Sequence, residues 1–306
     1  MSRIVIAIPT INHGPNLEAC LESLRTQTFR DFDIQVIDNR ANNIGYGAAI
    51  NLAIRQTDSE FVLALNDDTV AHAHFLAELI AAAERNPEAG MFAPCIRLHQ
   101  TGLLDSAGML LGPDGSSKQR GRLQPPDGFD RQLDTLFPSG CAALYRRAML
   151  NQIGLFDESF FLYCEDTDLG LRALRSGFPC RYVPPALVEH RYSASATTAL
   201  KTYLVERNRL RVALHHFPLS MLLRAPLAAL ERYYWHMRYP AKKSLSFVQS
   251  LAAVLRAHLA LAPYLLTGLQ RRKEAAALAV VTPAEFIALA KRHAISPRKI
   301  AEQTSR

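Results

Sequence analysis

Residues 60–68 read Glu-Phe-Val-Leu-Ala-Leu-Asn-Asp-Asp (EFVLALNDD). Five apolar residues, Phe61–Leu65, run without interruption into three polar ones. A short apolar run bounded by turn-formers reads as a strand buried on both faces. Upstream, Ile4–Pro9 is a similar strand, stopped by Pro9 and Thr10. Leu17, Cys20, Leu21 and Leu24 fall at i, i+3, i+4 and i+7, an amphipathic helix. Ile34–Asp38 is a second strand and Ala48–Arg55 a second helix. Downstream, Phe75–Glu84 is a third helix, stopped by Asn86-Pro87, and Met91–Ile96 a fourth strand. Alternating strands and helices predict an α/β fold with a mainly parallel sheet flanked by helices. Such sheets bind ligands beyond the carboxyl ends of their strands. Asp38 and Asp67/Asp68 stand at two of those ends.

Residues 97–140 are rich in Gly and Pro and poorly periodic, which predicts a mixed or antiparallel insertion with mobile loops, above all over 112–128. Order returns at Cys141–Tyr145 and Ala148–Ile153. Thr167–Ser176 is a helix stopped by Gly177, and Arg181–Val183 and Leu187–Glu189 are short strands. From Thr198 the pattern is helical, with segments at 219–237, 244–270 and 283–292. Residues 244–270 carry one charge, Arg256, and are interrupted by Pro263. A spanning helix needs about 20 predominantly apolar residues, so this segment reads as a buried or interfacial helix. The chain divides into an α/β domain, 1–200, and a basic, mostly helical region, 201–306.

Charge follows the same division. Residues 201–306 hold 18 Lys and Arg against 5 Asp and Glu, net +13; residues 1–200 hold 17 against 23, net −6. A basic region of this kind favours nucleic acid or anionic membrane. No helix-turn-helix, zinc spacing or aromatic RNA-binding motif accompanies it, so nucleic acid is not expected. Over 306 residues, 49% hydrophobic and 21% charged is globular composition and excludes disordered, collagen-like and disulfide-scaffold proteins. The five cysteines are scattered, which predicts buried free thiols in a reducing compartment. No basic stretch leads into an apolar core at the start, so a cleaved leader is not expected.

Three groups of residues can carry chemistry. Asn66-Asp67-Asp68 ends a strand, where carboxylates can hold Mg²⁺ or Mn²⁺ and leave room for phosphates; the plain alternative is a turn or helix cap. Glu165-Asp166-Thr167-Asp168 lies between the aromatic run Phe160–Tyr163 and a helix. It reads either as helix capping by Asp166 or Asp168, or as a general base tuned by its neighbours. His190 follows a strand and acquires meaning only in company. His72 and His74 read as exposed, and His215-His216 as a helix end. Arg232, Tyr233-Tyr234-Trp235 and Arg238 read as an interfacial anchor or as helix packing with a basic rim.

Five segments in order, IVIAIPTIN, LEACLESLRTQTFRDFDIQVIDN, NNIGYGAAINLAI, FVLALNDDT and GLFDESFFLYCEDTDLGLRALRSGF with YVPPALVEH, resemble glycosyltransferase family 2, the inverting GT-A transferases, over about residues 3–200. The last resembles the bacterial rhamnosyltransferase-like subgroup of cell-surface polysaccharide assembly. The resemblance implies that Pro9, Thr10, Asn12, Asp38, Asn43, Gly45, Asn66 and Asp67 line the nucleotide-sugar pocket. It makes Asp68 and His190 ligands of Mn²⁺ or Mg²⁺, Asp166 the catalytic base, and Glu165 its helper in placing the acceptor. One departure is visible: Asp38-Asn39 and Asn42–Gly45 almost touch, where relatives have a longer polar stretch.

The resemblance implies metal-dependent, inverting transfer of a sugar, with rhamnose suggested by the subgroup. The expected donor is a thymidine- or uridine-linked nucleotide diphosphate, and the expected acceptor a hydroxyl of a surface glycan or lipid-linked carrier. The protein would be cytoplasmic or peripheral on the cytoplasmic face of the inner membrane, through the basic helices. A homo-oligomer built on those helices is an alternative use of them. A non-catalytic relative that binds nucleotide-sugar or glycan as an assembly or regulatory module is the second reading of function.

Overall fold

The computed structural model describes residues 2–130, 134–191, 198–239 and 245–305. β1 (Ile4–Thr10), α1 (Pro15–Arg25), β2 (Phe32–Asp38), α2 (Tyr46–Arg55) and β3 (Phe61–Leu65) alternate as their periodicities predict. β4 (Thr69–Ala71), α3 (Phe75–Arg85) and β5 (Met91–Leu98) come next. Then come β6 (Leu104–Ser106), β7 (Met109–Leu111), β8 (Ser117–Gln119), β9 (Asp134–Thr135), β10 (Ala142–Arg146) and α4 (Arg147–Ile153). A 3₁₀ turn (Glu158–Phe160) leads to α5 (Glu165–Arg175) and β11 (Cys180–His190). Helices complete the chain: α6 (Thr198–His216), α7 (Leu219–Leu222), α8 (Ala225–Arg238), α9 (Phe247–Leu259), α10 (Leu265–Ala277), α11 (Pro283–Arg292) and α12 (Pro297–Ser305).

The main sheet runs β2-β1-β3-β10-β5-β11-β4, with β6 on β5 and β9 on β11. β1 pairs in parallel with β2 and β3, and β5 with β11. Period-2 alternation sends β1 to two cores. Val5 and Ala7 meet Ile50, Ala53 and Ile54 of α2. Ile4, Ile6 and Ile8 join Leu17, Cys20 and Leu24 of α1 and Phe75, Leu76 and Leu79 of α3. The α/β class with a C-terminal helical region therefore holds. The sheet is more mixed than expected, because β10 inserts antiparallel between β3 and β5.

Several local expectations are corrected. The two strands read at 181–183 and 187–189 are one, β11, whose register shifts between Val183 and Leu187. Pro184 and Pro185 lack an N–H for the ladder, so the strand bulges and then resumes. The expected mobile loop over 112–128 begins instead in a β7–β8 hairpin whose Asp114 is buried against Arg209 and Arg232. Both cations come from far along the chain, so local composition gave no sign of them. Within 244–270, whose first residue lies outside the described ones, the helix breaks between Leu259 and Leu265, around Pro263. Among the described residues no helix is long and apolar enough to cross a membrane. The five cysteines are free, with Cys164 half-buried and the rest buried.

Candidate active site

Parallel pairing puts Thr10 level with Asp38 at the carboxyl ends of β1 and β2. The Thr10 hydroxyl lies 2.5 Å from Asp67 Oδ2 and accepts the Asn12 N–H at 3.1 Å. Pro9 precedes it in β1. Asp38 is exposed; its bonds to the Arg40 side chain and backbone hold its carboxyl well below the usual range. Asn43 Oδ1 accepts the Gly45 N–H at 3.0 Å. Asn66, just past the end of β3, donates its backbone N–H to Cys141 O at 2.9 Å. The strand-end and loop residues expected at a nucleotide-sugar pocket thus stand on adjacent parallel strands or the loops leaving them.

Next to them is a buried carboxylate–imidazole group. The short strand β4, absent from the sequence reading, pairs antiparallel with β11 so that His190 faces Thr69, the residue after Asp68. His190 Nε2 is 3.3 Å from Asp68 Oδ1, and its Nδ1 is 2.8 Å from Asp105 Oδ2. Asp105, itself ion-paired with Arg122, fixes the ring and turns Nε2 toward Asp68. Burial disfavours the imidazolium, but the Asp105 and Asp68 carboxylates outweigh it and hold the His190 pKa above the ordinary value. The donor set suits a divalent cation. A carboxylate oxygen and an imidazole nitrogen converge at the strand end. The Cys141 sulfur is also within reach of His190 and Asp105, but burial pushes its pKa up and keeps it a neutral thiol.

The second half of the site is a strained turn. Phe161, Tyr163 and Cys164 have φ of 65°, 70° and 67°, unusual for residues with a Cβ. The turn is clasped from outside: Tyr46 N donates to Phe161 O at 2.8 Å, and a Cβ on Gly45 would meet that oxygen at 2.3 Å. Asn208 Nδ2 of α6 donates to Phe160, Leu162 and Tyr163 carbonyls at 2.7–3.0 Å. Out of the turn, α5 begins with Glu165 and Asp166. The N-cap residue is Cys164, whose side chain makes no capping bond, and the acids occupy the first turn of the helix. Asp166 Oδ2 accepts the Gly140 N–H at 2.9 Å, and Oδ1 accepts from Thr167 N at 2.7 Å and Thr167 Oγ1 at 3.2 Å.

Burial raises the pKa of both acids, Glu165 to about 8. Asp166 has donors that favour its ionised form, whereas Glu165 is opposed by burial and by the Asp166 charge. The proton of the pair therefore resides on Glu165, and Asp166 is the carboxylate. Gly140 and Cys141 join the two halves: Cys141 O takes the Asn66 N–H, and Gly140 N donates to Asp166.

Sequence reasoning missed Asp105, Tyr46, Gly140 and Thr167. Asp105 sits in the Gly- and Pro-rich insertion, with no motif to mark it. Tyr46 lies inside the NNIGYG segment and hydrogen-bonds Gly140 O through its hydroxyl. Asp168, His215 and His216 form a second buried cluster, with Asp168 Oδ1 at 3.1 and 2.8 Å from the two rings. Arg172 already neutralises Asp168 at 2.9 Å, so the group ties α5 to α6. A cleft of about 640 Å³ borders this cluster, lined by Asp157, Arg172 and Arg271 and by neither Glu165 nor Asp166. His72 and His74 are exposed, as expected.

A mixed sheet flanked by helices, with carboxylates at the ends of its strands, is the GT-A fold of glycosyltransferases. The sequence profile described as "Glycosyltransferase like family 2" matches residues 18–213, and the chain belongs to that family. It is 31% identical over 235 residues to the N-acetylglucosaminyl-diphospho-decaprenol L-rhamnosyltransferase of Mycobacterium tuberculosis, covering 61% of this chain and 75% of the relative. GalNAc-T7, solved with UDP, GalNAc and Mn²⁺, superposes with a TM-score of 0.57 at 12% identity, over 78% of this chain and 52% of that one. The mannosyltransferase PcManGT of Pyrobaculum calidifontis, solved with GDP-Man and Mn²⁺, gives 0.52 at 15%, over 99% and 87%. The protein is a rhamnosyltransferase-like glycosyltransferase.

Proposed function

We propose that the protein is a divalent-metal-dependent, inverting glycosyltransferase. It moves a sugar, rhamnose in the first instance, from a thymidine- or uridine-diphosphate donor to a hydroxyl of a lipid-linked or surface-glycan acceptor. Residues 1–200 form the catalytic unit, and residues 201–306 complete the acceptor side. The observation that carries this reading is the linkage of the Asn66-Asp67-Asp68 strand end to Asp166 through two consecutive residues, with Cys141 O on Asn66 N and Gly140 N on Asp166.

Thr10, Asn12, Asp38, Asn43, Gly45, Asn66 and Asp67, with Pro9, would surround the nucleotide end of the donor. A divalent cation held by Asp68 and His190 would offset negative charge on the departing diphosphate. The acceptor hydroxyl is a poor nucleophile until a base takes its proton during attack. Asp166, kept ionised by Gly140 and Thr167, accepts that proton at a carboxylate oxygen. Neutral Glu165 donates a hydrogen bond that positions the acceptor. Attack from the side opposite the departing diphosphate is a single displacement, and it inverts the anomeric centre.

The C-terminal helices support a membrane-borne acceptor. Leu219, Leu223, Leu227, Leu230, Tyr234 and Met237 are all at least half exposed and recur every three or four residues along α7 and α8. On α9, Phe247, Leu251, Leu255 and Leu259 repeat the pattern, and Leu266 on α10 is 83% exposed. Apolar rows within a region of net +13 suit the surface of an anionic leaflet. A second copy carrying the same charge would be repelled. Flotation with anionic but not neutral vesicles is expected; a monodisperse dimer with no vesicle binding would overturn the membrane assignment.

The reaction is tested by incubating the chain with Mn²⁺, each candidate donor and a synthetic N-acetylglucosaminyl-diphospho-lipid, then assigning the product anomer by NMR. Transfer with inversion is expected, and Asp166→Asn should lower the rate about 10²–10⁴-fold. Retention of configuration, or near-normal turnover by the variant, would refute it.

A further inference from the structure

Two lysines border the strained turn that delivers Glu165 and Asp166. Lys118 lies on β8, next to Ser117, whose hydroxyl is 2.7 Å from Thr167 Oγ1. Lys201, in the first turn of α6, holds its Nζ 5.6 Å from the centre of the Tyr163 ring. Neither is ion-paired to an acid among the described residues, although Arg122, Arg209 and Arg232 nearby all are. The undescribed stretches 131–133, 192–197 and 240–244 contain no Asp or Glu that might serve. Lys118 is half-buried, and burial together with the charges of Lys201, Arg122 and Arg232 lowers its pKa to about 8. His236 of α8 is lowered to about 4 by burial and by Arg232 and Lys118. Uncompensated positive charge in a partly dry place is costly unless an anion completes it.

We infer that Lys118 and Lys201 form an anion subsite for the diphosphate of a lipid-diphosphate-linked acceptor, on the base side of the reaction centre. This rests on the transferase reading above. The donor diphosphate belongs beside Asp68 and His190. The lysines flank Tyr163-Cys164, immediately before the base, and Lys118 also neighbours Arg232 and His236 of α8. That helix carries one of the exposed apolar rows. The order base, lysines, apolar helix matches the order sugar, diphosphate, lipid in such an acceptor. Two ammonium groups are also well suited to a diphosphate, which carries charge on both phosphoryl groups.

The test is calorimetric binding of farnesyl diphosphate to the full chain in Mn²⁺, with saturating UDP or dTDP occupying the donor site. Wild type should bind it at least ten-fold more tightly than farnesol. Lys118→Gln/Lys201→Gln should lose at least ten-fold of the farnesyl diphosphate affinity, and Lys118→Arg/Lys201→Arg should keep most of it. Nucleotide-sugar affinity in Mn²⁺ and flotation with anionic vesicles should not change in either variant. Nucleotide-sugar binding in Mn²⁺ reports separately on the transferase reading, since no lysine is needed for it. Equal binding of farnesyl diphosphate and farnesol by wild type, or unchanged binding by the Gln variant, would overturn the subsite. So would a loss confined to nucleotide-sugar, which would put the lysines on the donor. A loss confined to vesicle binding would assign them to lipid headgroups and overturn it too. Unchanged melting temperatures separate all of these from misfolding.

Discussion

Two buried clusters in this chain combine aspartate with histidine, and they do different things. Around His190, carboxylates lie on both sides: Asp105 at 2.8 Å orients the ring and Asp68 at 3.3 Å faces its other nitrogen. Around Asp168 the roles are reversed, with one carboxylate facing two imidazoles and the Arg172 guanidinium. Both clusters hold a guanidinium, Arg122 on Asp105 in the first and Arg172 on Asp168 in the second; they differ in that two carboxylates face one ring at the end of a strand, against one carboxylate facing two rings. His190 is accordingly held above its ordinary pKa, whereas burial lowers His216 to about 4. Under the proposed function the two-carboxylate cluster is the ligand site, and the one-carboxylate cluster is a structural tie between α5 and α6.

That contrast breaks most readily at the two aspartates. Asp68→Ala should cut transfer roughly 10³-fold, since charge stabilisation by a bound cation is worth several kcal/mol, while the melting temperature stays near wild type. Asp168→Asn should do the opposite. Arg172 would keep its bonds to the Ile153, Gly154 and Leu155 carbonyls but lose its buried counter-charge, which should cost about 3 kcal/mol of stability, seen in chemical denaturation, with activity per folded molecule largely kept. A melting loss from Asp68→Ala as large as that from Asp168→Asn would erase the distinction. A smaller effect sharpens it. Asp105→Asn should weaken Mn²⁺ affinity about 10–100-fold through loss of ring orientation, measured by metal titration.

The smallest effects are in pH. A histidine in the unfolded chain protonates near 6.5, but folded His216 does so only near 4. Between those values the unfolded state binds the extra proton, so stability falls as pH drops from 6.5 toward 4. Glu165 acts with the opposite sign. Folded, it keeps its proton to about 8, whereas unfolded it releases it near 4.5, so its contribution is lost as pH rises from 4.5 to 8. Melting temperature against pH should therefore be level between 4.5 and 6.5, where the two slopes cancel, and fall on either side; Glu165→Gln should remove the alkaline fall and leave a rise between 4.5 and 6.5.

The fold was legible wherever one local signal sufficed. Apolar runs at Ile4–Ile8 and Phe61–Leu65 became buried strands, and the i, i+3, i+7 spacing of Leu17, Cys20 and Leu24 became the core face of α1. Asp68, Glu165, Asp166 and His190 were legible through the resemblance, and their mutual geometry was not. It depends on β4, three residues long and too short for periodicity to register. It also depends on Asp105, in a Gly- and Pro-rich stretch that reads as loop. The hairpin around Asp114 was misread for a related reason. Its partners Arg209 and Arg232 lie about a hundred residues away, and buried ion pairs between distant segments leave no local pattern. The tail gave up its helices but not its orientation. Which apolar face is covered emerges only once α9 and α10 pack on α6.

The claim at the centre is a metal-dependent donor site at Asp68 and His190. Calorimetric titration of a panel of nucleotide-diphosphate sugars into wild type and Asp68→Ala, with and without Mn²⁺, tests it directly. Saturable binding of one donor that needs Mn²⁺ and disappears in the variant is the predicted result. Donor binding of equal strength in both proteins without metal, or no binding of any donor with Mn²⁺ present, would contradict it.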